Sequence, residues 1–217
     1  MKFIQRIVSE LAKPLPGLEV QLQMMNTTLG RIRKEAQKHI NDSAKKAAVF
    51  LLLYQKGNVW YTVFMQRPES PYPHSKQISF PGGQYEDADI ELIQTALRET
   101  EEEFGIPRQE IQTLGRLSDL YIPVSNFWVQ PFVGYLPREP LFKIDTNEVA
   151  ALIEVPLLAF FSHSKRTIRD IDIHSGHTLK DMPCYVYDKK IIWGATSMIL
   201  HEFLHILEGA DLINLQH

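Results

Sequence analysis

The sequence predicts an α/β fold in which helices pack against a mixed β-sheet, and three observations lead to that expectation. Ala47 to Tyr54 is an unbroken apolar run, the mark of a buried strand. Segments of strand pattern and helix pattern follow one another irregularly along the chain. Two amphipathic stretches, Ile90 to Phe104 and Ala195 to Glu208, have the length and periodicity of helices that pack on such a sheet.

The 217 residues suffice for one sizeable core, so one domain spanning 1–217 is expected. Residues 1–46 read as an N-terminal helical arm packed on the main body, 47–217. In the arm, Phe3, Ile4, Ile7, Val8 and Leu11 share a helical face, and Pro14-Leu15-Pro16-Gly17 ends that helix. Residues 18–46 are mixed and become basic. Ala47–Tyr54 and Val59–Gln66 form a hairpin across Gln55-Lys56-Gly57-Asn58. Arg67–Lys76 is a loop rich in Pro and Ser, and Gln77–Phe80 is a short strand entering Pro81-Gly82-Gly83. The helix Ile90–Phe104 is stopped by Gly105, with Pro107 two residues on. Strands are expected at Thr113–Tyr121, Phe127–Leu136 and Glu148–Ile153, with a short helix at Leu157–Phe161. Short strands at Ile168–Ile173, Cys184–Tyr187 and Ile191–Trp193 precede the closing helix Ala195–Glu208.

Composition excludes some partners. A net charge of −3 gives no whole-molecule attraction to nucleic acid or acidic membranes, so an anionic ligand must be held by a local site or by metal ions. Phe127 and Trp128 lack an accompanying basic stripe and read as core or pocket wall. The single cysteine, Cys184, forms no internal disulfide and fits a reducing cytosol, so a cytoplasmic location is expected. Gln5, Arg6 and Glu10 interrupt the apolar start, which reads as an amphipathic helix rather than a signal peptide. No apolar run approaches a membrane span. His163, His174 and His177 read as surface residues in a polar stretch. A homodimer is plausible, with the arm as its contact.

The chemistry concentrates in Arg98-Glu99-Thr100-Glu101-Glu102-Glu103. At helical spacing, Ile93, Leu97, Thr100 and Phe104 form one stripe with Ala96 at its edge, and Glu99, Glu102 and Glu103 sit together opposite it. Such carboxylates repel by about 0.2–0.5 kcal/mol per pair. They also occupy the last turns, where the helix dipole disfavours anions. A solvated acidic face is one reading. A bound Mg²⁺ or Mn²⁺ is the other, because hard divalent cations take carboxylate oxygens together with substrate phosphates.

Upstream, Gly82-Gly83 and the acidic stretch Glu86-Asp87-Ala88-Asp89 precede Arg98-Glu99, Glu102-Glu103 and Gly105-Ile106 in one loop-helix-loop. This order resembles the signature of the Nudix hydrolase family. The interval from Gly83 to Arg98 is one residue longer than the family's, which leaves Asp89 and Glu86 as candidate partners of Arg98. The resemblance implies a Nudix-type α/β/α sandwich with a mixed β-sheet, and a divalent-metal-dependent pyrophosphohydrolase of small nucleotide substrates. It implies Glu99, Glu102 and Glu103 as metal ligands, with the Gly82 carbonyl as a backbone ligand. Arg98 would orient the helix carboxylates and Glu102 would also serve catalysis. Glu148 would be the general base, a further ligand, or a plain surface carboxylate. Arg67, Lys76 and Gly83 are candidate substrate contacts, with a solvated loop role the alternative for Lys76. Within the family, His74-Ser75-Lys76-Gln77-Ile78-Ser79-Phe80-Pro81-Gly82-Gly83 looks like the coenzyme A pyrophosphatase branch. So do Pro14–Gly17, Tyr121–Ser125, Asn147–Ala150 and Ile192–Thr196. In that branch arginine stands at the position of Tyr72 and glycine at that of Lys76. The implied reaction converts coenzyme A to adenosine 3′,5′-bisphosphate and 4′-phosphopantetheine, with NADH, ADP-ribose and nucleoside triphosphates as alternatives.

A competing motif lies in the last helix. His201-Glu202-Phe203-Leu204-His205 fits the zinc-peptidase pattern, with two histidines for Zn²⁺, glutamate as base and Asp211 as third ligand. The glycine usual three residues after the second histidine is absent, because Glu208 stands there.

Overall fold

The computed structural model describes residues 2–38, 43–71, 74–161, 166–173 and 176–212. Tyr72, His163 and His174 lie outside them. The arm holds helices α1 (Lys2–Leu11), α2 (Leu18–Gln21) and α3 (Thr27–Lys38). Strands β1 (Lys45–Lys56), β2 (Val59–Gln66), β3 (Ile78–Ser79) and β4 (Gly82–Gln84) lead into helix α4 (Leu92–Phe104). Strands β5 (Gln112–Arg116), β6 (Leu120–Ile122), β7 (Phe127–Tyr135) and β8 (Ala151–Pro156) follow. A small sheet of β9 (Arg166–Asp172), β10 (Thr178–Tyr187) and β11 (Lys190–Ile192) precedes helix α5 (Gly194–Gly209).

The main sheet is mixed. β1 runs parallel to β7 on one side and antiparallel to β2 and β4 on the other. Successive side chains of a strand point to opposite faces. In β1, Leu51 and Leu53 therefore enter one core, while Ala48, Phe50, Leu52 and Tyr54 enter the other. That is why the run from Ala47 to Tyr54 is apolar without alternation: both faces of the strand are covered. The first core is closed by α1 and α5 through Phe3, Ile7, Met198 and Phe203, and the second by α4 through Ala96 and Phe104. The result is the expected sandwich of helices on both faces of a mixed sheet.

Several boundaries differ from the sequence expectation, each for a local reason. α4 starts at Leu92 and not at Ile90, because Gln94 Oε1 accepts the Ile90 and Glu91 amides at 2.6 and 3.1 Å and caps the helix there. Ile90 is left 82% exposed. The single strand expected from Thr113 to Tyr121 is two strands, β5 and β6, separated where the Ser118 amide turns away to a carboxylate of α5. The diglycine is itself a strand, β4, which apolar patterning does not reveal. β8 begins at Ala151, so Glu148 lies in a turn and not in a strand. In α1, Phe3, Ile7 and Leu11 are buried but Val8 is 42% exposed.

The zinc-peptidase expectation does not hold. Glu202 is fully buried and accepts the Gly17 amide at 3.0 Å, the Gln21 side-chain amide at 2.9 Å and the Ser118 amide at 3.2 Å. His201 shares hydrogen bonds with the Tyr185 hydroxyl and Gln23, and burial lowers its pKa to about 4. His205 points out to solvent. Among the described residues no three His, Cys, Asp or Glu side chains are gathered closely enough to hold a metal ion as they stand. Glu202 instead ties the arm to α5 and to the start of β6. Glu202→Ala strands buried amide donors, so we expect a loss of about 3 kcal/mol, or roughly 6–12 °C in Tm for a chain of this size. Calorimetry checks this, and an unchanged Tm would contradict the clamp.

Candidate active site

Two close approaches build the site. β4 pairs antiparallel with β1, with Gly82 opposite Val49 and Gly83 opposite Ala48. A Cβ on Gly82, whose φ is +144°, would overlap the Ala48 carbonyl and come within 2.6 Å of the Val49 Cα. A Cβ on Gly83 would overlap the Glu99 carboxylate. Glycine at both positions thus lets α4 seat its acidic side chains directly on the strand.

α4 does not present its glutamates as one solvated face. Its buried residues are Thr95, Ala96, Thr100, Glu103 and Phe104, so Glu103 sits within the packed face and not opposite it. Ile93 and Leu97 are only partly buried. The three carboxylates form a depth gradient: Glu103 is 3% exposed, the Glu99 side chain 15% and the Glu102 side chain 51%. Thr100, where the family often has an aliphatic residue, is buried with its hydroxyl donating to the Ala96 carbonyl at 2.7 Å.

Arg98 joins the outer part of this gradient. It donates to both oxygens of Asp89 at 3.2 and 3.0 Å, to Glu99 at 2.9 Å, to Glu102 at 3.2 Å and to the Gln84 carbonyl at 3.1 Å. The choice between Asp89 and Glu86 therefore falls on Asp89; Glu86 stands 3.8 Å from the guanidinium. Hydrogen bonds from Arg98, the Glu86 amide and Thr95 hold the Asp89 carboxyl down at about 2. Asp89 also closes the turn before the helix by accepting the Glu86 amide at 3.1 Å.

Glu103 has a different environment. Its Oε2 accepts the Gly82 amide at 2.8 Å. Burial pushes its pKa up to about 8, against the pull of nearby Arg67. Burial also raises Glu99. The negative field of Glu148 acts on both. The end of α4 explains why Glu148 is near. Its free carbonyls at Glu103 and Phe104 accept the Asp145 and Lys143 amides at 3.1 and 2.9 Å, which pins the segment that turns at Asp145 into Glu148. Glu148 itself is exposed.

Comparison with known proteins fits this geometry. The NUDIX domain family matches residues 44–169. The chain is 34% identical over 165 residues to a protein of Photorhabdus laumondii described as an uncharacterized Nudix hydrolase, NudL, an alignment covering 76% of this chain and 86% of that one. The chain belongs to the Nudix hydrolase family. A Yersinia enterocolitica protein of the same description is 39% identical over 127 residues, 58% of this chain and 64% of that one. The solved Nudix hydrolase RenU of M. smegmatis shares the fold, with a TM-score of 0.51 at 12% identity over 77% of this chain and 86% of that one.

The Nudix helix offers oxygen donors of the kind that Mg²⁺ or Mn²⁺ takes. Glu103 fits such an ion best, since a divalent cation would compensate a carboxylate that burial otherwise penalises. The present hydrogen bonds direct Glu99 and Glu102 to Arg98, and the Gly82 carbonyl accepts from Arg67 at 3.4 Å. Binding an ion would draw these oxygens partly away from the two arginines.

Beside the diglycine opens a cavity of about 860 Å³. Arg67, Gly82 and Gly83 line it. Lys76 does not: it pairs with Glu69 at 2.7 Å on the exposed side of its loop. Its φ of +59° accounts for the glycine that the related branch places there. Sequence reasoning missed the cavity's outer wall, which Met25, Leu29, Ile32 and Arg33 of the arm supply. The available signal was an arginine on the same helical stripe as Leu29 and Ile32.

The sign of the Glu103 shift gives a test. A carboxyl with a folded pKa near 8 keeps a proton that the unfolded chain loses near 4.5, so stability falls as pH rises between those values. In chelator at pH 8.5–9, Glu103→Gln should therefore raise Tm by several degrees, the equivalent of a few kcal/mol at most. At pH 4, below the unfolded value, the two proteins should melt together. A variant less stable at both pH values would contradict the assignment.

Proposed function

We propose that this Nudix hydrolase is a divalent-metal-dependent pyrophosphohydrolase acting on coenzyme A or its derivatives, with adenosine 3′,5′-bisphosphate and 4′-phosphopantetheine as products. One observation carries the coenzyme A reading. The segments His74–Gly83, Tyr121–Ser125 and Ile192–Thr196, which look like the coenzyme A branch and stand far apart in sequence, contribute most of their residues to one cavity beside the diglycine. Thr196 also donates to the Ile78 carbonyl at 2.9 Å, joining two of these segments. The cavity is largely apolar, with Met25, Leu29, Phe80, Phe127 and Met182 among its walls. That lining suits the long, weakly polar arm of pantetheine better than a compact nucleoside triphosphate.

Glu99, Glu102 and Glu103 hold the ion in this reading, with the Gly82 carbonyl as backbone ligand. When bound, Mg²⁺ or Mn²⁺ neutralises the diphosphate oxygens and lowers the pKa of a bound water. Arg98 keeps Glu99 and Glu102 aligned from one side, itself fixed by Asp89. Arg67, beside Gly82 and Glu103, meets a phosphate oxygen. Glu148 is exposed and within electrostatic reach of Glu99 and Glu103, and its carboxylate takes the proton of the attacking water or completes the ligand set.

The decisive assay is turnover of coenzyme A, acyl-coenzyme A, NADH, ADP-ribose and nucleoside triphosphates, each with Mg²⁺ and with Mn²⁺. We expect the highest kcat/KM on a coenzyme A compound. Preference for NADH, ADP-ribose or a triphosphate would replace the substrate while leaving the chemistry in place. Glu103→Gln and Glu148→Gln should each lower kcat by roughly a hundredfold or more. Full metal-dependent turnover in Glu103→Gln would sink the ligand assignment.

A further inference from the structure

Among the described residues, Arg33 is a buried guanidinium without a compensating charge. It lies on α3 of the arm and is 7% exposed. Its Nη2 donates to the Tyr121 carbonyl at 2.6 Å, but its Nε has no hydrogen-bond partner among the described residues. Among the described residues no carboxylate forms an ion pair with it. Burial lowers its pKa to about 10, which still leaves it charged at neutral pH. Buried charges are as a rule paired, and an unpaired one calls for a partner from elsewhere. Arg33 lines the same cavity as the diglycine, together with Leu29 and Ile32 of its own helix and with Ile122 and Val124.

Its place differs from that of Arg67. Gly82, whose carbonyl Arg67 contacts, is on β4; Tyr121, which Arg33 contacts, is on β6. β4 pairs with β1, β1 with β7 and β7 with β6. Three strand spacings therefore separate the two backbones, about 14 Å at about 4.8 Å each. One apolar cavity thus carries two cations on well-separated walls.

We propose that Arg33 forms a second anion subsite, by which the arm selects substrates bearing an acidic group in addition to the scissile diphosphate. Guanidinium recognises phosphate and carboxylate through the same paired N–H donors. The second anion is either a phosphomonoester on the nucleotide or a carboxylate at the far end of the other arm. This rests on the proposed coenzyme A reading for its substrates, though not for the anion site itself.

The test is steady-state kinetics of the full chain and its Arg33→Met and Arg33→Lys variants on coenzyme A, 3′-dephospho-coenzyme A and succinyl-coenzyme A. Arg33→Met removes an uncompensated charge at similar length, so its Tm should match or exceed that of the parent. We expect it to raise KM at least tenfold, with kcat within twofold, only where the second anion is present, and Arg33→Lys to restore part of the loss. A penalty on coenzyme A but not on its dephospho form assigns the site to the phosphomonoester. A penalty confined to succinyl-coenzyme A assigns it to the carboxylate. Equal KM changes on all three substrates, or none, overturn the subsite. Should none of the three turn over, the substrate reading fails by itself, and inorganic phosphate then probes the site. A phosphate-induced rise in Tm that Arg33→Met abolishes upholds the subsite, and equal rises overturn it.

Discussion

A buried carboxylate facing a backbone amide organises this molecule. Glu103 Oε2 accepts the Gly82 N–H from within the packed face of α4, at 3% exposure. For that bond to form, β4 must lie against β1 with no side chain at Gly82, and α4 must sit on β4 with none at Gly83. The same packing places the Glu103 carboxyl where burial opposes its charge. A helix selected for stability alone would carry an apolar residue there, as Ala96 and Phe104 are on the same face. A divalent cation bound there would offset that cost.

The rest of the site is arranged around that conflict. Arg98 collects Asp89, Glu99 and Glu102 on the outer side, where its charge offsets their repulsion. Arg67 balances the inner side, and the carbonyls at the end of α4 bring in the turn that carries Glu148. The arm, the small sheet and the start of α5 add walls to the cavity beside the diglycine. Glu202, whose motif suggested zinc, serves that second layer by fixing the arm through Gly17 and Gln21.

Much of this was legible in the sequence. Hydrophobic runs located the hairpin β1–β2, and the Gly105–Pro107 stop placed the end of α4, because these signals are local. The motif order identified the glutamates and both glycines. What escaped was tertiary in origin. The depth of Glu103 was misjudged because Ile93 and Leu97 looked like the core stripe, whereas β4 packs on the neighbouring arc of the helix. Asp89 and Glu86 were indistinguishable until the turn before α4 selected one. Lys76 could be read as a phosphate contact or as a solvated loop residue, and its loop turns it to Glu69. Arg33 stayed hidden because a lone arginine in a basic helix reads as solvated unless the wall it faces is known.

The account is tested most directly by following the Glu103 carboxyl itself through a pH titration by carbon-detected NMR, with and without Mg²⁺. It predicts titration near 8 in chelator, as burial dictates, and a drop of several units when Mg²⁺ is added. A Glu103 that titrates near 4.5 in chelator, or that ignores Mg²⁺, would contradict it.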